Sequence, residues 1–286
     1  MPKYSICIPT FNRSEVVINA LNSATNQENQ DFEILIVDNN SDENHKTFLE
    51  EYLDGASLKN LTYIRNSHNI GMFKNWDKCI DIAKGEYISI LSDDDLLAPN
   101  FLTNIDCVVE RYPNSAYFVK KNEFEILQPF FSPRRGKPFD VSNVRRLNRN
   151  IFKWFNGIGP PAGFVFPKSV GSSIRFNAKQ YPSADYDFFI KISKALDIFY
   201  LDEVLAYVGI GLNDSLNKST IYGFIEKDKL LRKKCGQNSV INNVIEVFQL
   251  NNYLLSNGHR DRKNIFAVII DLFFRLLRKL IFKWYC

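Results

Sequence analysis

Short apolar runs that break on polar residues recur through the first hundred positions of the chain. Tyr4 to Pro9, Phe32 to Val37, Leu61 to Arg65 and Tyr87 to Leu91 have the length and apolar content of buried strands. The segments between them carry helical spacing. Val16, Val17, Ala20, Leu21 and Ala24 define the first helix, with Ser14 placed to cap it. A second helix is predicted over 44 to 53, and a third over 72 to 84 with Gly85 ending it. Strand and helix alternating on this scale predict an α/β fold, with a Rossmann-like, mostly parallel, doubly wound sheet flanked by helices. Each strand also delivers polar residues at its C-terminal end, the edge where open α/β sheets bind ligands.

Further along, Pro99 starts a helix through Phe101, Ile105, Val108 and Val109 that ends near Tyr112-Pro113. Four short strands are predicted near 116 to 119, 124 to 127, 199 to 201 and 205 to 208. The stretch 128 to 147 is rich in Pro, Gly and Arg and reads as a long surface loop. Residues 154 to 163 read as a Gly/Pro loop feeding a strand over 164 to 166. A helix around Phe188, Phe189, Ile192, Ala195 and Leu196 follows Ala184-Asp185-Tyr186-Asp187, and from 221 the chain reads helical with breaks near Gly236 and Gly258.

The fourth strand runs directly into Asp93-Asp94-Asp95, which no apolar core accepts. Three adjacent carboxylates repel one another unless a cation sits among them, and oxygen-only ligands suit Mg²⁺ or Mn²⁺. A solvated acidic turn is the plain alternative. The preceding buried strand favours a metal site that holds a phosphate-bearing substrate.

Composition changes little. Hydrophobic residues at 45% and charged residues at 24% are ordinary for a soluble globular protein and exclude fibrous and disordered classes. The five cysteines are scattered, without Cys-x-x-Cys or Cys/His metal spacing, and read as reduced thiols. Met1-Pro2-Lys3-Tyr4 enters a strand at once, so a cytoplasmic location is expected. The net charge of +4 is unevenly spread. Residues 134 to 153 hold seven Arg/Lys against one Asp, and residues 259 to 286 hold seven against two. Two basic patches suggest a polyanionic surface or substrate, or else solvated faces.

The ordered set Pro9-Thr10-Phe11-Asn12-Arg13, Asp38-Asn39-Asn40-Ser41, Asn69-Ile70-Gly71, Ser92-Asp93-Asp94-Asp95 and Ala184-Asp185-Tyr186-Asp187 closely resembles family 2 glycosyltransferases of the GT-A fold. The resemblance spans residues 3 to 210 and implies inverting transfer of a sugar from a nucleotide diphosphate sugar with Mn²⁺ or Mg²⁺. It implies a glycosyltransferase domain over 1 to 215, with a nucleotide-sugar half at 1 to 98 and an acceptor and catalytic-base half at 99 to 215, followed by a helical region at 216 to 286. Thr10 and Asn12 lie where the family cradles the nucleotide, and Asp38 where it meets a uracil ring. Arg13 either faces the pyrophosphate or lies on a solvated helix turn. Asn69 and Gly71 match a segment that packs along the nucleotide, with Lys74 a phosphate candidate beyond them. Within the DXD-like acid motif, Asp93 falls near the ribose, Asp95 is the metal ligand and Asp94 lies between them. Asp185 matches the base that takes a proton from the attacking hydroxyl, unless it is only a helix cap, and Asp187 supports the site from the first helical turn.

Two departures from the family pattern stand out. Ala184 replaces a common Glu, and the stretch 206 to 215 lacks the His that helps hold the metal in many relatives, leaving Asn213 or Asp214 as stand-ins. The Gln-x-x-Arg-Trp sequence of processive polymerases does not occur, so single addition is expected. The expected acceptor is a glycan or lipid-linked glycan of surface-polysaccharide synthesis, met by residues 120 to 183; nucleic acid is not an expected partner. At the C-terminus Asp271, Arg275, Arg278, Lys279 and Lys283 fall along one helical face, leaving Ile270, Phe273, Phe274, Leu277, Ile281 and Trp284 on others. That pattern predicts a basic amphipathic helix, peripheral on the inner face of the membrane, or one docked on its own domain or on a second subunit of a homodimer. A nucleotidyltransferase of similar topology and an inactive nucleotide- or glycan-binding scaffold are the alternatives.

Overall fold

The computed structural model describes residues 1–56, 60–126, 131–211, 217–256 and 265–286, without the side chains of 252–256 and 265–267. Strands β1 (Tyr4–Thr10), β2 (Phe32–Asp38), β3 (Leu61–Arg65) and β4 (Tyr87–Ile90) form as the apolar runs predict, all parallel, in the order β3-β2-β1-β4. Helices α1 (Ser14–Thr25), α2 (Glu43–Ala56) and α3 (Met72–Ile82) connect them. Every residue of β1, β2 and β4 is buried, whereas β3 at the edge is not. The strand order reverses between β1 and β4, so the crevice of this sheet opens where those two strands end.

Two helix-end expectations need correction. Ser14 does not cap α1; Arg13 occupies the cap position without a side-chain bond, and the Ser14 hydroxyl meets His45 Nδ1 of α2 at 2.9 Å. Helix α3 stops at Ile82, before Gly85, whose N–H instead donates to Ser5 Oγ of β1 (2.8 Å).

The second half of the sheet is mixed. β5 (Leu96–Leu97), α4 (Phe101–Arg111), β6 (Ala116–Glu125), β7 (Val144–Arg146), β8 (Phe164–Pro167), α5 (Lys168–Gly171), α6 (Ala184–Ala195) and β9 (Ile198–Ile210) follow in turn. The full order is β3-β2-β1-β4-β8-β6-β9-β5, with β7 on β9. β8 runs antiparallel to both β4 and β6. The four short strands expected between 116 and 208 are two long ones. β6 and β9 pair in parallel, and a register shift near Val119 to Lys121 lets the polar pair Asp202-Glu203 bulge out of β9 without ending it. In the same way, the stretch expected to be all loop holds β7. Its arginines are not a uniformly free basic face, since Arg135 pairs with Glu28, Arg145 with Asp202 and Arg146 with Asp197.

The chain divides into two compact units. One is the sheet with α1–α5, formed by Met1–Arg146, Pro160–Phe176 and Ala195–Leu212. The other gathers Leu147–Gly159, Asn177–Lys194 and Asn213–Cys286, and contains α6 with α7 (Lys218–Lys234), α8 (Ser239–Ser256) and α9 (Ile265–Tyr285). In this second unit Arg232 is fully buried, donating to Asn242 Oδ1 (2.7 Å) and Gln249 Oε1 (3.1 Å). The apolar residues of α9, expected on the faces away from its charges, meet two environments. Phe274, Leu277 and Ile281 turn toward Trp154, Phe155 and α8, where the Arg278 guanidinium lies over the Phe155 ring at 4.8 Å. Leu272, Phe273, Leu276, Leu280 and Trp284 face outward.

Candidate active site

The acid motif forms a turn just beyond β4. Leu91 stays in the sheet through Cys7 O (2.8 Å), and the Asp95 N–H closes the turn on Ser92 O (3.0 Å). The turn is tucked in, with Asp93 8% and Asp95 2% exposed, which a solvated acidic turn would not be. Thr10, the last residue of β1, donates its hydroxyl to Asp93 Oδ2 (2.8 Å). Arg13 Nη1 reaches Asp93 Oδ1 (3.3 Å) and Asp94 Oδ2 (2.9 Å). Four of the expected residues are thus one hydrogen-bonded group at the switch point.

Asp95 points elsewhere and accepts the N–H of Gly209 from β9 at 3.0 Å. A Cβ on Gly209 would lie 2.2 Å from the Asp94 carbonyl oxygen, so only glycine lets β9 come this close to the acids. Burial first, then the neighbouring Asp94 charge, push the Asp93 carboxyl up to about 6, against the pull of Arg13 and Thr10. The same two causes push Asp95 up to about 8, with the Gly209 N–H, Lys121 and Ser92 opposing. A cluster with this much unmet negative charge takes up a proton or a cation, and its hard oxygen donors fit Mg²⁺ or Mn²⁺. Among the described residues no three His, Cys, Asp or Glu side chains converge on one point, so the acids alone make a partial coordination shell. Asn213 and Asp214 lie outside the described residues.

The residues expected on the nucleotide side form a second hydrogen-bonded set on the adjacent strand ends. Asp38 is 1% exposed; its Oδ1 accepts from Ser41 N (2.9 Å) and Oγ (2.6 Å), while Oδ2 accepts from Tyr63 Oη (3.0 Å) and faces Arg65 Nε at 3.4 Å. Asn12 takes a left-handed backbone (φ 53°), accepts the Asp42 N–H (2.8 Å) and donates to Asp42 Oδ2 (3.2 Å), which ties the first loop to the second. Asn39, Asn66, Asn69 and Asn75 form a side-chain amide chain from β2 to α3, and Asn69 Oδ1 also accepts the Gly71 N–H (2.8 Å). Lys74 is exposed on the first turn of α3.

In the second unit Asp185 sits inside the first turn of α6, not at its cap, half-buried. Its Oδ1 accepts the Tyr186 N–H (2.7 Å) and its Oδ2 accepts from Asn156 Nδ2 (3.1 Å). Asp187, buried, forms an ion pair with Lys191 Nζ at 2.7 Å. The motifs gave no sign of Tyr63, Arg65, Gly209 or Asn156. A glycine within a strand was the one available signal for Gly209.

A sheet that opens at its switch point onto a turn of carboxylates is the frame of a GT-A glycosyltransferase. The chain belongs to glycosyl transferase family 2, whose model matches residues 5–156. It is similar to the GalNAc(5)-diNAcBac-PP-undecaprenol beta-1,3-glucosyltransferase of Campylobacter jejuni, with 32% identity over 255 residues, 82% of this chain and 75% of that one. Matches to three other curated relatives cover between 30% and 66% of their length, so the chain spans less than two thirds of those proteins. By fold it resembles Staphylococcus aureus TarS 1-349 in complex with UDP, at a TM-score of 0.59 and 17% identity, over 93% of this chain and 75% of that one. It also resembles the Pyrobaculum calidifontis mannosyltransferase PcManGT in complex with GDP-Man and Mn²⁺, at 0.60 and 13%, over 99% and 83%.

Proposed function

We propose that the protein transfers one sugar, with inversion, from a nucleotide diphosphate sugar to a glycan or lipid-linked glycan during surface-polysaccharide synthesis. The observation that carries this is the buried turn at the switch point, where Thr10 and Arg13 hold Asp93 and Asp94 while Asp95 stays short of positive charge. In this reading Asp95 holds the cation and Asp93 lies toward the ribose, with Arg13 adding positive charge beside the pyrophosphate. A bound Mn²⁺ or Mg²⁺ would supply Lewis-acid stabilisation to the departing diphosphate. Asn12, Asp38, Asn69, Gly71 and Lys74 line the nucleotide side. Asp185 takes the proton of the acceptor hydroxyl as that oxygen bonds to the anomeric carbon from the face opposite the leaving group. The complexes of the two structural relatives, one with UDP and one with GDP-Man and Mn²⁺, favour a nucleotide-sugar donor.

Purified protein is expected to release nucleoside diphosphate slowly from one of UDP-, dTDP- or GDP-sugars when Mn²⁺ is present, and Asp95→Ala to abolish this. Turnover indifferent to both EDTA and Asp95→Ala would overturn the metal reading. Release of inorganic pyrophosphate in place of nucleoside diphosphate would point to nucleotidyl transfer.

The name of the Campylobacter relative places its acceptor on undecaprenol, and a lipid-linked acceptor here would bring the enzyme to a membrane face. No helix among the described residues is long and apolar enough to cross a membrane. The outward face of α9, with Leu276 61%, Leu280 65% and Trp284 85% exposed beside Lys279 and Lys283, has the make-up of a surface-lying helix that meets anionic headgroups.

A further inference from the structure

The loop 156 to 159, apparent in the sequence only as a glycine-rich stretch, ends at the proposed base. Asn156 Oδ1 accepts two backbone donors, Ile158 N–H at 3.2 Å and Gly159 N–H at 3.1 Å. With the oxygen so engaged, the amide has one workable orientation, and its NH₂ faces Asp185 Oδ2 at 3.1 Å. The backbone makes this possible. Gly159 adopts φ +75°, the left-handed region that suits glycine, and so turns its N–H back toward Asn156. A Cβ on Gly157 would sit 2.7 Å from Ile151 Cδ1, so the loop lies flat on a buried side chain. The Asp185 end is held as firmly, because Tyr186 beside it is 1% exposed and donates its hydroxyl to Phe152 O (2.5 Å).

We propose that Asn156 is a positioning residue for sugar transfer: it grips one oxygen of the Asp185 carboxylate, sets the rotamer, and favours the ionised form that accepts the proton. This rests on the reading of Asp185 as base. The step balances. The hydroxyl oxygen bonds to the anomeric carbon, its proton passes to Asp185, and the bond from that carbon to the diphosphate oxygen breaks with its electron pair. A hydrogen bond donated to a carboxylate stabilises its charged form, so losing the donor raises the carboxyl's proton affinity. Asn156 contacts the base and not the reacting atoms.

The test compares wild type, Asn156→Ala, Asn156→Asp and Asp185→Asn. The readouts are the Asp185 carboxyl titration by ¹³C NMR, Mn²⁺-dependent release of nucleoside diphosphate from a UDP-sugar panel and GDP-mannose across pH, and UDP binding with Mn²⁺ by calorimetry. Asn156→Ala is expected to raise the Asp185 titration midpoint by about one unit, move the acid limb of kcat upward with it, and lower kcat about tenfold at neutral pH, with UDP affinity unchanged. Asn156→Asp keeps an oxygen for the Ile158 and Gly159 donors and so guards against a collapsed loop. Two facing carboxylates should move the limb further in the same direction. An unmoved titration and pH profile in either folded variant overturns the proposal. Full turnover by Asp185→Asn overturns the base reading itself, while the NMR midpoint still reports the Asn156 contact.

Discussion

At the scale of the residue, the site is decided by how few positive charges face three carboxylates. Arg13 bonds to Asp93 and Asp94, whereas Asp95 is met by the Gly209 N–H and Ser92, with the more distant charge of Lys121 opposing its own. The sign of the pH dependence follows. Both Asp93 and Asp95 have proton affinities raised in the fold, so in the metal-free protein their contribution to stability is complete below the unfolded carboxyl pKa of about 4 and is lost as pH rises through about 6 and about 8. Thermal melts in EDTA should therefore fall across that window, and added Mn²⁺ should raise the melting temperature more at pH 8 than at pH 6. Gly209→Ala puts a methyl 2.2 Å from the Asp94 carbonyl oxygen. It is expected to cost about 1–3 kcal/mol of stability in denaturant titration and to weaken Mn²⁺-dependent UDP binding seen by calorimetry. Thr10, Arg13 and the acids were legible in the sequence because each follows a strong apolar run. Gly209 and Asn156 were not, because each acts through a partner more than a hundred, or about thirty, positions away in the chain.

Elements show the same divide between local and non-local information. Strands β1 to β4 read correctly because each is a mostly apolar run that ends on polar or turn residues. β6 and β9 read as fragments because Lys120 to Glu123 and Asp202-Glu203 look like breaks, and only the pairing of one strand with the other carries the chain through them. Likewise, α9 has a docked side, where Asp271, Arg275 and Arg278 accompany Phe274, Leu277 and Ile281, and an open apolar side, and periodicity alone did not distinguish the two. Replacing Leu276 and Leu280 together by Gln should leave the melting temperature nearly unchanged while reducing sedimentation with vesicles that contain anionic lipid. Leu277→Ala on the docked face should cost about 1–2 kcal/mol and leave vesicle binding alone. If the Leu276/Leu280 pair changed nothing in vesicle binding, α9 would not be the membrane contact.

For the molecule as a whole, the residues proposed for the donor were easier to place from the sequence than those proposed for the acceptor. The residues proposed for the nucleotide lie within the first hundred positions on consecutive strand ends. Asp185 reaches its place in a unit assembled from three separate stretches of chain. If the proposed roles hold, Asp185→Asn should lower sugar transfer at least a hundredfold without changing UDP affinity, whereas Asp95→Ala should weaken metal-dependent UDP binding itself. Product analysis by NMR should give the anomer opposite to that of the donor, and retention would exclude a single displacement.

The central place of β8 has a consequence for how the protein is made. β4 and β6, at residues 87–90 and 116–125, gain their shared neighbour only when residues 164–167 are available, and β6 finds its other partner only at 198–210. A ribosome that has released the first 146 residues has released a sheet with open apolar edges at β4 and β6, the template on which chains aggregate. A fragment ending at residue 146 should therefore collect in inclusion bodies, and synthesis of the whole chain should depend on chaperones that shield these edges until β8 closes the gap.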